Sequence, residues 1–251
     1  MVTFDQLSEL VAEHRLEPVG QLIDSSNGAL VCTLAGHKVV YKAQSLESPL
    51  WDFPEFTLSQ REVAASTIDR MLGWNLVPPT VWTESGPVGP GSVQVYVDDA
   101  RVADVAIFEH NQVPAEWFHI VSGELEGKTV DVAHANDERL LQLALFDVLI
   151  NNADRKGGHI IRDGHNNMWG IDHGVCFHEE AKLRTILWGW INQPVPAQYA
   201  TDIRRTIEAL PEIEGLSSEE TQAILDRGAR LLAKGLPEPS RRWPAIPWPV
   251  F

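Results

Sequence analysis

Residues 151–178, NNADRKGGHIIRDGHNNMWGIDHGVCFH, bring Asp154, Asp163 and Asp172 together with His159, His165, His173 and His178. Carboxylate oxygens suit Mg²⁺ or Mn²⁺, and a carboxylate beside a hydroxyl can act as a base. Three readings of the stretch are open: a polar connection built from turn-forming Asp and Gly, a phosphate-handling centre, or a metallophosphohydrolase. The last would use Asp154, His159, Asp172, His173 and His178 as a multinuclear cluster and would need no lysine upstream.

The flanking residues favour a cleft. Asp154 follows DERLLQLALFDVLI, a run apolar nearly all round, which reads as a helix buried inside a helical lobe. HII and MWGID flank RDGHNN as a β-hairpin. That hairpin would carry His159 and Asp172 to one end, converging on Asp154.

Upstream, Lys42 ends the strand-like HKVVYKA, whose alternation aims it inward. Such a lysine needs an anionic partner, either a ligand phosphate or Glu62 in the helical REVAAS. Taken alone, Lys42 could snorkel from an edge strand and Glu62 could lie on a solvated helix face. The turn DSSNGA could offer backbone N–H groups and the Ser25 and Ser26 hydroxyls to phosphate oxygens, or serve only as a hairpin turn.

These residues need elements to hold them. A capping box of Thr3 and Gln6 opens a helix over 3–15, and PVGQLI, ALVCTLAG and HKVVYKA read as strands, the last two joined at Gly36. TLSQREVAASTIDRMLG is helical, with Thr57 or Ser59 as cap and Gly73 past its end; PTVWT and SVQVYV are strands. Helices follow near 196–210 and 217–234, the second with a Ser217–Glu220 capping box and Gly235 as its stop. The expected fold class is α+β in two lobes: residues 1–97, an antiparallel sheet with one helix, and 98–251, mainly helical.

The 251 residues carry 35 acidic against 20 basic side chains, a formal charge of −15, which repels nucleic acid and anionic lipid at long range. A few converging cations could still hold a nucleotide. No apolar run approaches a membrane span, and Cys32 and Cys176 lie far apart, so reduced thiols and a cytoplasmic location are the expectation.

NNADRKGGH…IDHG resembles the D-R-x-x-x-N…D-F-G pattern of the phosphatidylinositol 3-/4-kinase-like superfamily and its HipA-related atypical kinases, which have a protein-kinase-like fold. VVYKA and REVAAS are similar to the strand and helix that carry its nucleotide lysine and glutamate. PLWDFPEFTLSQREVAA, LFDVLINNADRKGGH and WGIDHGVCFHEEAKLRTILW resemble more closely an actinobacterial-type family related to those kinases.

The resemblance implies an ATP- and divalent-metal-dependent phosphotransferase acting on a hydroxyl of a protein or small molecule, a lipid being disfavoured by the acidic composition. Within the same fold, a nucleotide-binding pseudokinase or an AMP transferase is the alternative. Asp154 would be the catalytic aspartate, with Arg155 and Lys156 balancing charge, touching the γ-phosphate or serving structurally. Asp172 would bind Mg²⁺ or Mn²⁺, Lys42 tethered by Glu62 would hold phosphates, and Ser25, Ser26 and Asn27 would cover them. Tyr96 and Val97 would meet the adenine. His159 stands where the superfamily has a metal-binding Asn, and either ligates the ion, favouring Mn²⁺, or hydrogen-bonds Asp154. His173 replaces the Phe of D-F-G. Lys182 and Arg184 read either as contacts to an acidic acceptor or as capping groups, and Trp51, Asp52 and Phe53 as a lid or a loop anchor.

Overall fold

The structure, a computed structural model, describes residues 1–22, 28–100 and 103–251. Helix α1 (Phe4–Glu13) opens on the Thr3–Gln6 capping box, with both reciprocal bonds made. It packs on a five-stranded antiparallel sheet of β1 (Glu17–Gln21), β2 (Leu30–Leu34), β3 (His37–Ala43), β4 (Thr80–Gly86) and β5 (Gly89–Val95), in the order β1-β2-β3-β5-β4. Alternation along β3 divides its work. Val39, Tyr41 and Ala43 are buried in the cluster that includes Leu7 of α1, and Lys42 points from the opposite face.

Helix α2 (Leu58–Leu72) covers that opposite face, where Ser66 Oγ receives the Thr80 N–H at 3.1 Å. Its cap is not the expected Thr57 or Ser59 side chain. Glu47, eleven residues upstream, accepts the Leu58 and Ser59 N–H groups at 2.9 and 2.7 Å, placing a carboxylate at the helix's positive end. Gly73 ends α2 in the left-handed conformation, with φ 75°. The buried face of α2, including Ala64, Ala65 and Ile68, joins the larger core formed with residues from the rest of the chain.

An element the sequence reading did not identify comes next: a three-stranded antiparallel sheet of β6 (Val105–Glu109), β7 (Trp117–Leu125) and β8 (Lys128–Ala135), ordered β6-β8-β7. Helix α3 (Glu138–Ile150), capped by Asp137, then runs through the core as its apolar sequence requires. The expected hairpin forms from β9 (Ile160–Arg162) and β10 (Met168–Gly170), in a register that pairs Ile160 with Gly170. Helices α4 (Ala197–Glu208) and α5 (Ser218–Lys234) close the core; Ser217 and Glu220 make the expected capping box. Cys32 and Cys176 are buried free thiols, and no described helix is long and apolar enough to cross a membrane.

β8 ends against the segment before α4 through His134, which has no exposed surface and stacks with Trp190 and Phe118. Its Nε2 accepts the Gly189 N–H at 3.1 Å, so the proton sits on Nδ1, 2.8 Å from the Ala135 carbonyl. Burial lowers its pKa from 6.5 to about 4. Below about pH 6.5 the unfolded chain takes up a proton that the folded chain refuses, and stability is lost until the pH reaches the folded value near 4. Asp69 acts in the opposite sense, because burial raises it to about 7 against its bonds from the Val77 and Leu76 N–H groups. The difference in unfolding free energy between wild type and His134→Gln, from urea titrations at pH 7 to 4, should therefore change by up to about 3 kcal/mol, with the variant less acid-sensitive.

Candidate active site

The site is assembled on the carboxyl side of α3. Asn151 ends that helix with φ 55°, and the chain turns back on its own last turn. Asn152 Nδ2 donates to Asp147 Oδ1 at 3.0 Å, and its Oδ1 receives the Asp154 N–H at 2.9 Å. Asp154 is thereby held by a side chain that is itself held by the helix. Burial raises its carboxyl above the ordinary range, opposed by Lys156, whose Nζ lies 3.2 Å from Oδ2.

Of the roles left open for Arg155, the structure favours the structural one over contact with a phosphate. It has no exposed surface, and its guanidinium turns away from the cleft toward Asp147, with Nε and Nη2 bonded at 2.9 and 3.0 Å. Nη1 donates to the His159 and Ile171 carbonyls at 3.1 and 2.8 Å, and Nη2 also lies 2.7 Å from His173 Nε2. With its donors spent inside the protein, Arg155 cannot reach a phosphate. It joins the loop, the hairpin and α3 from behind.

His173 is buried with it and packs edge-on against Phe146. Burial and the neighbouring Arg155 keep it neutral, far below the usual histidine range. The resemblance has Phe at this position, and the imidazole keeps the aromatic packing while adding an acceptor for the guanidinium.

Asp172 follows β10 with φ 61°, a left-handed conformation uncommon for a residue with a side chain. This bend sends Oδ1 to within 2.8 Å of Lys42 Nζ and Oδ2 to within 3.3 Å of His159 Nε2. His159 thus meets Asp172, where the sequence left open a bond to Asp154. Lys42 Nζ also donates to Glu62 Oε1, while Glu62 Oε2 accepts the His173 N–H at 3.0 Å. Burial opposes the charge on Lys42, yet Asp172 and Glu62 hold its pKa above the ordinary lysine value. Lys42 in turn keeps Asp172 ionised below the usual carboxylate range. Burial lowers His159 to about 4, so its imidazole is neutral at pH 7; its Nδ1 is buried without a hydrogen-bond partner among the described residues.

Lys42, Glu62, Asp154 and Asp172 line one cavity of about 450 Å³. Tyr96 and Val97 do not line it; the Tyr96 N–H is taken by the Lys38 carbonyl at 3.1 Å, and its ring lies under Lys38 Nζ. Ser25, Ser26 and Asn27 lie outside the described residues. The five-residue metal cluster does not assemble, because His173 faces Arg155 and His178 packs on Phe53. Among the described residues no group of three or more His, Cys, Asp or Glu is placed to hold a metal by itself. Glu47, Asp147 and Asn152 escaped the sequence reading. The one available signal was Asp147, an acid in an otherwise apolar stretch eight residues before Arg155.

A relative in Mycobacterium tuberculosis, protein Rv2133c, is 38% identical over 273 aligned residues that cover 100% of this chain and 98% of that one. The chain belongs to the Rv2133c family. No family profile matches it. The crystal structure of a Helicobacter pylori proinflammatory kinase, CtkA, superimposes with a TM-score of 0.46 at 11% identity, over 88% of this chain and 93% of that one.

The Arg155–Asp147 pair is the most exacting feature of this Rv2133c-family site, because removing one partner strands the other charge in the core. Arg155→Met should lower unfolding free energy by about 3–5 kcal/mol in urea titrations. The double variant Arg155→Met/Asp147→Leu should recover most of that loss. A single variant as stable as wild type would show that the pair does not hold the loop.

Proposed function

We propose that this protein is an ATP- and divalent-metal-dependent phosphotransferase that acts on a hydroxyl of a protein or small-molecule acceptor. The observation that carries the reading is Lys42, suspended between Glu62 and Asp172 at the edge of the cavity that also holds Asp154. A phosphate ligand must meet fixed positive charge, and a lysine tethered by one carboxylate and shared with another supplies it.

In this reading Lys42 binds the phosphates and Glu62 fixes its position. Asp154 orients the acceptor hydroxyl and takes its proton; burial, by raising its pKa, makes it the better base. Asp172 and His159 would hold the divalent ion, since an ionised carboxylate lies 3.3 Å from the Nε2 of a neutral imidazole, an oxygen and a nitrogen donor that such an ion accepts. When bound, the ion neutralises charge on the phosphate oxygens. The imidazole favours Mn²⁺ over Mg²⁺. Arg155 acts through position alone, keeping the Asp154 loop and the Asp172 hairpin in register.

Calorimetric titration with ATP and Mn²⁺ tests the nucleotide half of the proposal. Lys42→Met should weaken binding by about ten- to a hundredfold, the value of a charge-assisted hydrogen bond. Asp154→Asn should retain nucleotide binding and lower turnover by about 10²–10⁴. Unchanged turnover in Asp154→Asn rejects the assignment of the base. The mass gained by the acceptor separates phosphoryl from adenylyl transfer.

A further inference from the structure

The cavity extends from Asp154 away from Tyr96 and Val97, toward the 47–53 loop, the 182–184 segment and the Trp243–Trp248 region. The charges on this side of Asp154 are mostly spent. Glu47 caps α2, Asp52 pairs with Lys182 at 2.7 Å, and Glu62 and Asp172 share Lys42. Lys182 is also enclosed by the rings of Trp51, Phe53 and Trp243, at 5.0, 5.8 and 5.0 Å from their centroids, so it is not free to read a substrate.

Arg184 is different. Its backbone runs alongside the catalytic loop, donating to the Asn152 carbonyl and accepting from the Arg155 N–H, both at 3.0 Å. Its Nε donates to the Ala153 carbonyl at 2.6 Å, which leaves the two terminal nitrogens without a hydrogen bond or ion pair among the described residues. A guanidinium fork fixed at its base and open at its tip is suited to a carboxylate or phosphate. Two indoles complete the wall: Trp51 and Trp248 are 84% and 85% exposed, and both line this same cavity. Single exposed apolar residues are ordinary; Trp248 and the face of Trp51 turned away from Lys182, on one polar cavity, offer flat faces to a ring.

We propose that the acceptor is a small, anionic, ring-bearing molecule. Arg184 pairs with its carboxylate or phosphate, Trp51 and Trp248 cover its ring, and its hydroxyl lies at Asp154. This rests on the phosphotransferase reading and gives that reaction a substrate class. The formal charge of −15 disfavours a polyanionic peptide approaching from a distance, whereas a single anion needs only the short-range fork.

The test uses the full chain and three probes at fixed ionic strength: glucuronate, its neutral counterpart methyl glucoside, and an acidic serine peptide. Binding is read by tryptophan fluorescence; because the chain has nine tryptophans, Trp51→Ala and Trp248→Ala assign the signal. Glucuronate should quench at a concentration about tenfold lower than methyl glucoside. Arg184→Gln should abolish that preference, and the tryptophan variants should reduce the quench. Equal response to both sugars, no response to any probe, or tighter binding of the peptide overturns the proposal, as does a Trp248→Ala variant that loses affinity for ATP instead. Calorimetry with Mn²⁺ and ATP on the same wild-type preparation separates the two levels. Wild type that binds ATP but ignores glucuronate defeats the acceptor class alone, and wild type that does not bind ATP defeats the phosphotransferase reading.

Discussion

A guanidinium with no exposed surface must find an anion and fill its remaining donors, and the cleft is built around how Arg155 does so. Asp147 supplies the anion from inside α3, while the His159 and Ile171 carbonyls and the His173 imidazole take the other donors. Asp147 belongs to the helix, His159 lies just before the hairpin's first strand, and Ile171 and His173 follow its second. One buried ion pair therefore fixes three elements, and with them the spacing between Asp154 and Asp172.

A second buried cation fixes the other wall. Arg61, also without exposed surface, reaches from α2 to the Cys176 carbonyl at 2.7 Å and to Glu220 of α5 at 2.6 Å. It lies next to Glu62, so the helix that steers Lys42 is anchored to the segment that follows Asp172. The Lys42–Glu62–Asp172 junction thus joins two bodies already held in register. The 236–251 segment adds a further restraint: Gly157 of the Asp154 loop donates its N–H to the Val250 carbonyl at 2.8 Å, and a Cβ at Gly157 would meet the Phe251 ring at 2.6 Å.

Regular elements with strong local signals were legible in the sequence. Capping boxes at Thr3–Gln6 and Ser217–Glu220, the left-handed Gly73 and the hairpin around RDGHNN all formed, because each depends on residues within a few positions of one another. The β6–β8 sheet was missed. β6 and β7 have few buried positions, β7 being largely solvent-facing, and the buried residues of β8 run consecutively, so no period stood out. The cap of α2 was missed for a different reason: Glu47 is separated from the helix by a loop, and only the folded chain shows that it returns to Leu58.

The sequence by itself determined which chemistry was available: Lys42, Glu62, Asp154 and Asp172, with residue types and order that permit phosphate and metal handling, and two histidines where the resemblance has Asn and Phe. Tertiary structure decided what each group faces. It turned Arg155 and His173 into the core, set His159 against Asp172, committed Lys182 to Asp52 and an aromatic enclosure, and left the tip of Arg184 open. The physical reason is that a charged side chain's role depends on which partners satisfy it. Partners 8 to 130 positions away are chosen by packing, not by local pattern.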